Sequence, residues 1–151
     1  MESAEHSDRE QPSPEHRRPD GVTDATVAAL GKLSEALEVV EQARGMLYGF
    51  HRLTGKADLT LGEAVDALEE AGHTELAARI RRELIGLNVI DGRWTFQLVE
   101  EYDDGYYAAL RTAEREARDQ LVGGRRHLFE AEMKEDRRTH GRPGHEAVPP
   151  A

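Results

Sequence analysis

The sequence predicts an all-α protein built on a long antiparallel helix pair, at about residues 23–53 and 95–133, with a short two-helix insertion at about 60–86. Three observations support this fold class. Apolar residues in the first segment recur with heptad spacing, which is typical of a helix that lies along another helix. Apolar residues in the last segment share one helical face. The compact stretch between the two segments returns the chain, so the two long helices are expected to pair.

The two ends of the chain are predicted to be disordered tails. Residues 1–21 consist mainly of Ser, Pro, Glu, Arg and His, and residues 136–151 have a similar polar composition. Such segments bury too little apolar surface to offset the entropy that is lost on ordering. The expected organisation is therefore a disordered tail at 1–21, a helical domain at 22–135 and a second disordered tail at 136–151.

The first long helix is predicted to begin just after a turn that ends at Gly21. Its apolar seam has heptad spacing and consists of Leu30, Leu33, Leu37, Val40 and Leu47. A stripe of small residues runs beside the seam and consists of Ala29, Ala36 and Ala43. Arg44 and His51 interrupt the seam. Gly55 is expected to end the helix, because glycine is a poor helix former.

The insertion is predicted to contain two short helices. Thr60 and Glu63 have the spacing of a capping box, in which each side chain bonds the backbone of the other residue at a helix start. Gly72 is expected to stop this helix. Thr74 is placed to cap the next helix, which ends near residue 86.

The connection into the second long helix allows two interpretations. Residues 89–96 resemble a small β-hairpin whose turn is Asp91 and Gly92. A helix from about Thr95 is favoured, because a set of later residues then falls on one face: Phe96, Val99, Tyr106, Leu110, Ala113 and Ala117. Gly105 and the pair of glycines at 123–124 are expected to weaken this helix.

The interrupted seam predicts a specific contact. In the expected register, the numbers of facing residues sum to about 153, which places His51 beside Asp103 and near Tyr102. A histidine inside an apolar seam needs a hydrogen-bond partner. We therefore expect a contact between His51 and Asp103 that fixes the register of the helix pair, as a single polar residue does in a coiled coil.

Composition excludes several classes of protein. The chain has 151 residues, no cysteine, 20 basic residues and 30 acidic residues, which gives a net charge of −10. The acidic balance argues against nucleic acid as a partner, because phosphate binding needs clustered positive charge. No apolar run approaches the length of a membrane span, and the first residues lack a signal-peptide pattern. We therefore expect a cytoplasmic protein that does not bind membranes.

One polar and aromatic cluster is the candidate interaction site. Its residues are Arg44, His51, Glu100, Glu101, Tyr102, Asp103, Asp104, Tyr106 and Tyr107. Such a cluster can bind a cation or a basic partner, although an acidic helix start with half-buried tyrosines has the same pattern.

Two further pairs have the spacing of metal ligands: Glu70 with His73, and His127 with Glu130. A di-iron bundle needs two Glu-x-x-His pairs and two more glutamates, and Gly72 breaks the helix inside the first pair. No metal site and no cofactor are therefore predicted.

The expected function is a non-enzymatic one. The sequence has no nucleophile motif and no glycine-rich phosphate loop. Heptad faces predict a protein–protein interaction or self-association module, whose partner is another protein or a second copy of the chain. The alternative hypothesis is a helical bundle that binds metal through carboxylates and histidines.

Overall fold

The computed structural model describes residues 9–148, and the remaining ends of the two predicted tails lie outside the described residues. Helix α1 is Asp24–Glu70 and helix α2 is Thr74–Glu83. Helix α3 consists of Thr95–Tyr102, a π-helical segment Asp103–Tyr107, and Ala108–Val122. Helix α4 is Leu128–Arg137, and a short 3-10 turn, Pro14–His16, precedes α1. The predicted all-α fold class is confirmed.

The chain divides into two compact units. Unit 1 is Met1–Glu38 with Ala109–Ala151, and unit 2 is Val39–Ala108. The two long helices each contribute residues to both units.

Unit 1 is built around a small apolar core of Val27, Val122 and Leu128. Val22 and Leu30 pack against this core. Leu30, the first leucine of the predicted seam, therefore faces other helices, as its spacing predicts.

The second long helix does not continue to residue 133 as predicted. It ends at Val122 because Gly123 and Gly124 take the left-handed backbone conformation, with φ of 62° and 78°. Glycine adopts this conformation without the steric cost that other residues incur. His127 also has a positive φ of 58° and precedes α4, so the predicted weak point is a complete break.

The described parts of the two predicted tails contact one another. Arg138 has no exposed side-chain surface, and it donates hydrogen bonds to Glu10 and to Glu135. The backbone N–H of Ala147 donates to the carbonyl of Arg9. Charged side chains and backbone hydrogen bonds therefore join residues 9–21 to residues 136–148, although both segments have few apolar residues.

Unit 2 contains the continuation of α1, and the predicted helix end at Gly55 is wrong. The helix runs through Gly55 to Glu70 because its half-buried positions keep heptad spacing beyond that glycine, at Leu47, Thr54, Leu61 and Leu68. The predicted capping box is absent as well. Thr60 lies inside the helix, where its hydroxyl donates to the carbonyl of Lys56. Glycine costs only about 1 kcal/mol there, which tertiary packing overrides.

Gly72 ends α1 as predicted. Its φ is +89°, and the N–H groups of Gly72 and His73 donate to the carbonyls of Glu69 and Leu68. These two bonds form a Schellman motif, which satisfies the last carbonyls of a helix.

Helix α2 is the only separate helix of the predicted insertion within the described residues. Arg81 ties α2 to α1 by donating a hydrogen bond to Asp66 at 2.8 Å. The segment after α2 is also attached to α1, because the N–H of Gly86 donates to Asp58 at 3.0 Å. The following connection contains one isolated bridge between Ile90 and Arg93 around the Asp91 and Gly92 turn. Helix α3 then starts at Thr95, as the favoured interpretation predicted.

The helices α1 and α3 run antiparallel in unit 2, but their register differs from the prediction. His51 hydrogen-bonds Thr95, whereas Asp103 contacts Arg44. The observed register is displaced from the predicted one by about one heptad of seven residues. A heptad pattern is unchanged by such a shift, so it cannot distinguish the two registers. The pairing of Arg44 with Asp103 distinguishes them, because it satisfies two opposite charges.

Candidate functional site

The polar cluster of unit 2 is centred on an ion pair between Arg44 and Asp103. Arg44 Nε donates to Asp103 Oδ1 at 2.7 Å, and its Nη2 donates to Oδ2 at 3.2 Å. The Tyr48 hydroxyl also donates to Asp103 Oδ2, at 2.7 Å. A two-point pairing of guanidinium with carboxylate fixes both the distance and the orientation of the two helices.

Two aromatic rings enclose the Arg44 guanidinium. Its central carbon lies 4.5 Å from the centre of the Tyr107 ring and 5.0 Å from that of Tyr48. Tyr107 is buried, and its hydroxyl donates to Glu41. The Arg44 guanidinium therefore contacts Asp103 and both rings, as in a structural ion pair that is supported by cation–π interactions.

The contacts have a direct effect on protonation. The hydrogen bonds from Arg44, and next those from Tyr48, lower the pKa of Asp103 below its usual value. The same Asp103 contact raises the pKa of Arg44 above its already high value and raises the pKa of Tyr48. The Asp103 carboxylate therefore stays charged and the Tyr48 phenol stays neutral near pH 7.

Asp103 and Tyr107 are the two ends of the π-helical segment of α3. The segment includes Gly105, the predicted weak point of the helix. The N–H of Ala108 donates to the carbonyl of Asp103, which is the wider bonding of a π-helix. An irregular turn thus lies where Asp103 and Tyr107 of α3 contact α1.

The other predicted residues of the cluster lie apart from this ion pair. His51 hydrogen-bonds Thr95 at 2.7 Å, so the predicted contact with Asp103 is wrong. The Tyr102 and Tyr106 rings pack against each other, with their ring centres 5.9 Å apart. Glu101 pairs with Arg93, and Glu100 and Asp104 are exposed. Residues that are consecutive on a helix point in different directions, so one stretch of sequence cannot form one site.

Sequence reasoning missed two members of the cluster, Glu41 and Tyr48. Both lie on the same face of α1 as Arg44, three residues before it and four residues after it. This spacing places side chains side by side on a helix. A search for partners of Arg44 at these positions would have found them.

The two residue pairs that have the spacing of metal ligands do not assemble into larger groups among residues 9–148. Glu70 ends α1 while His73 precedes α2, and His127 lies 4.0 Å from Glu130 on an exposed surface. Among residues 9–148, no three His, Asp or Glu side chains are close enough together to hold a metal ion. Within the same residues, every helix is too short or too polar to cross a membrane.

An apolar groove of about 700 Å³ lies in unit 2, beside the connection between α2 and α3. One wall is the part of α1 that carries Thr54, Asp58 and Leu61. The opposite wall is the connection itself and the start of α3, with Leu84, Gly86, Leu87, Asn88, Val89, Trp94, Thr95 and Phe96. The groove is a surface that sequence reasoning missed, since its walls come from separate segments.

The walls of the groove are fixed by specific contacts. Asp58 accepts the Gly86 N–H, which holds the connection against α1. The Trp94 ring packs edge-on against the Phe96 ring at 5.4 Å. The hydrogen bond between Thr95 and His51 joins the start of α3 to α1. A fixed apolar concavity with few polar groups is suited to bind apolar side chains of a ligand or a protein.

No protein-family model matches this chain, and no curated protein or solved structure has a significant similarity to it.

Proposed function

We propose that this chain is a non-enzymatic protein–protein interaction module that binds a partner protein in the apolar groove of unit 2. One observation carries the proposal. Five large apolar side chains that line the groove are between 41% and 63% exposed: Leu84, Leu87, Val89, Trp94 and Phe96. An apolar surface of this density is costly to leave in water and is typical of a site that a partner covers.

The chemistry of the groove supports a protein partner with an apolar helix. Trp94 lines the groove, and tryptophan is among the residues that are enriched at the energetic centres of protein interfaces. Amphipathic helices bind in grooves of this kind by inserting apolar residues from one face. The net charge of −10 supports a protein over nucleic acid.

The experiment compares the proteins that co-purify with the wild-type chain and with three variants. Trp94→Asp and Leu87→Asp place a charge in the groove, while Leu121→Asp makes the same change on the exposed surface of α3 in unit 1. Circular dichroism first establishes that each variant is folded. We expect a partner that Leu121→Asp retains and that both groove variants lose. Equal recovery of all partners by all three variants would contradict the proposal.

Trp94 is the only tryptophan of the chain, so its fluorescence reports on the groove directly. With the partner in purified form, its emission is expected to shift to shorter wavelength on binding, because burial removes water from the indole ring. An unchanged emission at saturating partner would place the binding surface elsewhere.

A further inference from the structure

A second apolar stripe on α1 is uncovered. It consists of Val39, Ala43, Met46, Phe50, Leu53 and Ala57, which are separated alternately by four and three residues, and all six are exposed. The exposed fractions of its large side chains are 57% for Val39, 75% for Met46, 43% for Phe50 and 67% for Leu53. We name these six residues the outer stripe.

The spacing of the outer stripe indicates what covers it. Alternating steps of four and three residues give the average repeat of about 3.5 residues that two helices need to stay in contact along their length. The stripe covers about 27 Å of helix at about 1.5 Å per residue. The half-buried positions of α1, such as Leu47 and Leu61, lie beside this stripe, so its exposed residues are available for a second helix.

We propose that the outer stripe is covered by the same stripe of a second copy of this chain, in antiparallel orientation. When the two copies are aligned about a two-fold axis near residue 48, each position of the stripe meets another position of the stripe. Val39 faces Ala57 of the second copy, Ala43 faces Leu53, and Met46 faces Phe50. Every residue of the outer stripe is thereby covered, which makes this surface self-complementary as a two-fold interface requires.

Side-chain volumes favour the antiparallel orientation. In this orientation, Ala43 faces Leu53 and Ala57 faces Val39, so each alanine meets a larger residue. Met46 and Phe50, the two large side chains at the centre, face each other beside Gly49. A parallel pair would place each residue against its own copy, with alanine against alanine at two layers and phenylalanine against phenylalanine at another. Such layers are alternately underfilled and overfilled, and both errors are destabilising.

One flank of the outer stripe, formed by Gln42, Gly49 and Lys56, is compatible with the antiparallel dimer. Gly49 lies next to the two-fold axis, and a side-chain carbon added to it would meet nothing within 4 Å in the monomer. Two copies of Gly49 therefore leave room for the helices to approach around the central Met46 and Phe50 layers. Gln42 comes beside Lys56 of the second copy, so no like charges face each other there.

The proposed dimer uses a different surface from the groove. Only Ala57 belongs to both, and the variants below do not change it. Loss of self-association therefore tests this inference, whereas loss of the co-purifying partner tests the proposed function.

The sharpest experiment mixes two charged variants. At micromolar concentration, light scattering of the wild-type chain is expected to give about twice the chain mass of 16.9 kDa. Met46→Glu and Phe50→Lys are each expected to give the monomer mass, and Leu121→Glu is expected to stay dimeric. An equimolar mixture of the first two variants should regain the dimer mass, because the introduced glutamate and the introduced lysine then face each other at one layer while the other layer is native.

Native mass spectrometry of the mixture is expected to detect the heterodimer specifically, since the two variants differ in mass. A parallel dimer would place neither new charge opposite the other, so its mixture would stay monomeric. A monomeric wild type, or a mixture that fails to recover the dimer while both variants are folded, would overturn the proposal.

A cross-linking experiment tests the register without charged residues. The chain has no cysteine, so a single cysteine variant reacts at one place. Gly49→Cys is expected to form a covalent dimer with a short bis-maleimide, and Gln42→Cys, one heptad earlier on the same flank, is expected to remain monomeric. Equal cross-linking of both variants would indicate a parallel pair, and no cross-linking of Gly49→Cys would exclude the proposed axis.

Discussion

At the scale of single residues, Asp103 joins α3 to two side chains of α1 in unit 2. It accepts two hydrogen bonds from Arg44 and one from Tyr48. Because these bonds lower its pKa, the ionised form is favoured in the folded state more than in the unfolded state. The contact therefore stabilises the fold fully above the unfolded pKa, and the stabilisation is lost as the pH falls through the lower folded pKa.

Asp103→Asn is accordingly predicted to destabilise the protein by an amount that depends on pH. The free energy of unfolding should differ between wild type and variant by a constant amount above about pH 5, and the difference should shrink below about pH 4, where the unfolded aspartate protonates. Urea denaturation across this range measures it. The exposed Asp104→Asn is the control, and its effect should be small at every pH. A wild-type advantage that persists undiminished to about pH 2 would show that the charge of Asp103 is irrelevant.

Two glycines of α1 differ in what a side chain would meet. A carbon added to Gly31 would lie 2.9 Å from Cγ and 3.1 Å from Cβ of Phe129 on α4, whereas one added to Gly62 would meet nothing within 4 Å. Gly31 thus permits the close approach of α1 and α4 in unit 1. At Gly62 no contact requires the glycine.

The two alanine variants should therefore have opposite signs. Gly62→Ala is expected to raise the free energy of unfolding by about 0.5–1 kcal/mol, since alanine favours the helix. Gly31→Ala is expected to lower it by about 1–3 kcal/mol, because α4 must move away. Thermal or urea denaturation checks both. Combining Gly31→Ala with Phe129→Ala should cost less than the sum of the two changes, and strict additivity would show that the clash is absent.

At the scale of structural elements, the end of α4 holds the N-terminal segment in place. Arg138 is fully enclosed and bonds the carboxylates of Glu10 and Glu135. The N–H of Gly141 also donates to Glu10. The contact with Arg138 lowers the pKa of Glu135, which keeps that carboxylate charged. A single arginine thus joins the N-terminal segment to the end of α4.

Arg138→Ala is predicted to release both described terminal segments while leaving the helices intact. Hydrogen exchange should become faster for the amides of residues 9–21 and 139–148, because the carboxylates of Glu10 and Glu135 lose their charged partner. The neighbouring Arg137 is exposed, so Arg137→Ala is the matched control and should leave exchange unchanged. Fast exchange of these amides in the wild-type protein would instead support the predicted disorder of the tails.

At the scale of the molecule, unit 2 holds a disproportionate share of uncovered apolar surface. The groove and the outer stripe are both in it, and most of the large exposed apolar residues lie between residues 39 and 106. Such surface is stabilised when another chain covers it. A module that pairs with itself through one surface and binds a partner through another would present two copies of the groove, which strengthens binding to any partner with two suitable segments.

Much of the local structure was predictable because its causes are local. Gly72 ends a helix, and Thr95 begins one, for reasons contained in a few neighbouring residues. Gly55 was misjudged for the opposite reason. Its local preference opposes the helix, but half-buried residues on both sides of it keep a single helix in contact with other elements. The candidate site was predicted only in part, since Arg44, Asp103 and Tyr107 come together whereas His51 and Glu100 lie elsewhere.

The sequence by itself determined the helical class, the α1 face that packs inward and several helix ends, because periodicity and turn chemistry act over a few residues. Only the tertiary structure decided the register, the partner of Arg44, the enclosure of Arg138 and the existence of the groove. A heptad pattern repeats every seven residues, so it allows helices to pair in several registers of similar apolar burial. The choice between these registers depends on charged and hydrogen-bonding side chains that are distant in sequence, and their contacts exist only once the chain has folded.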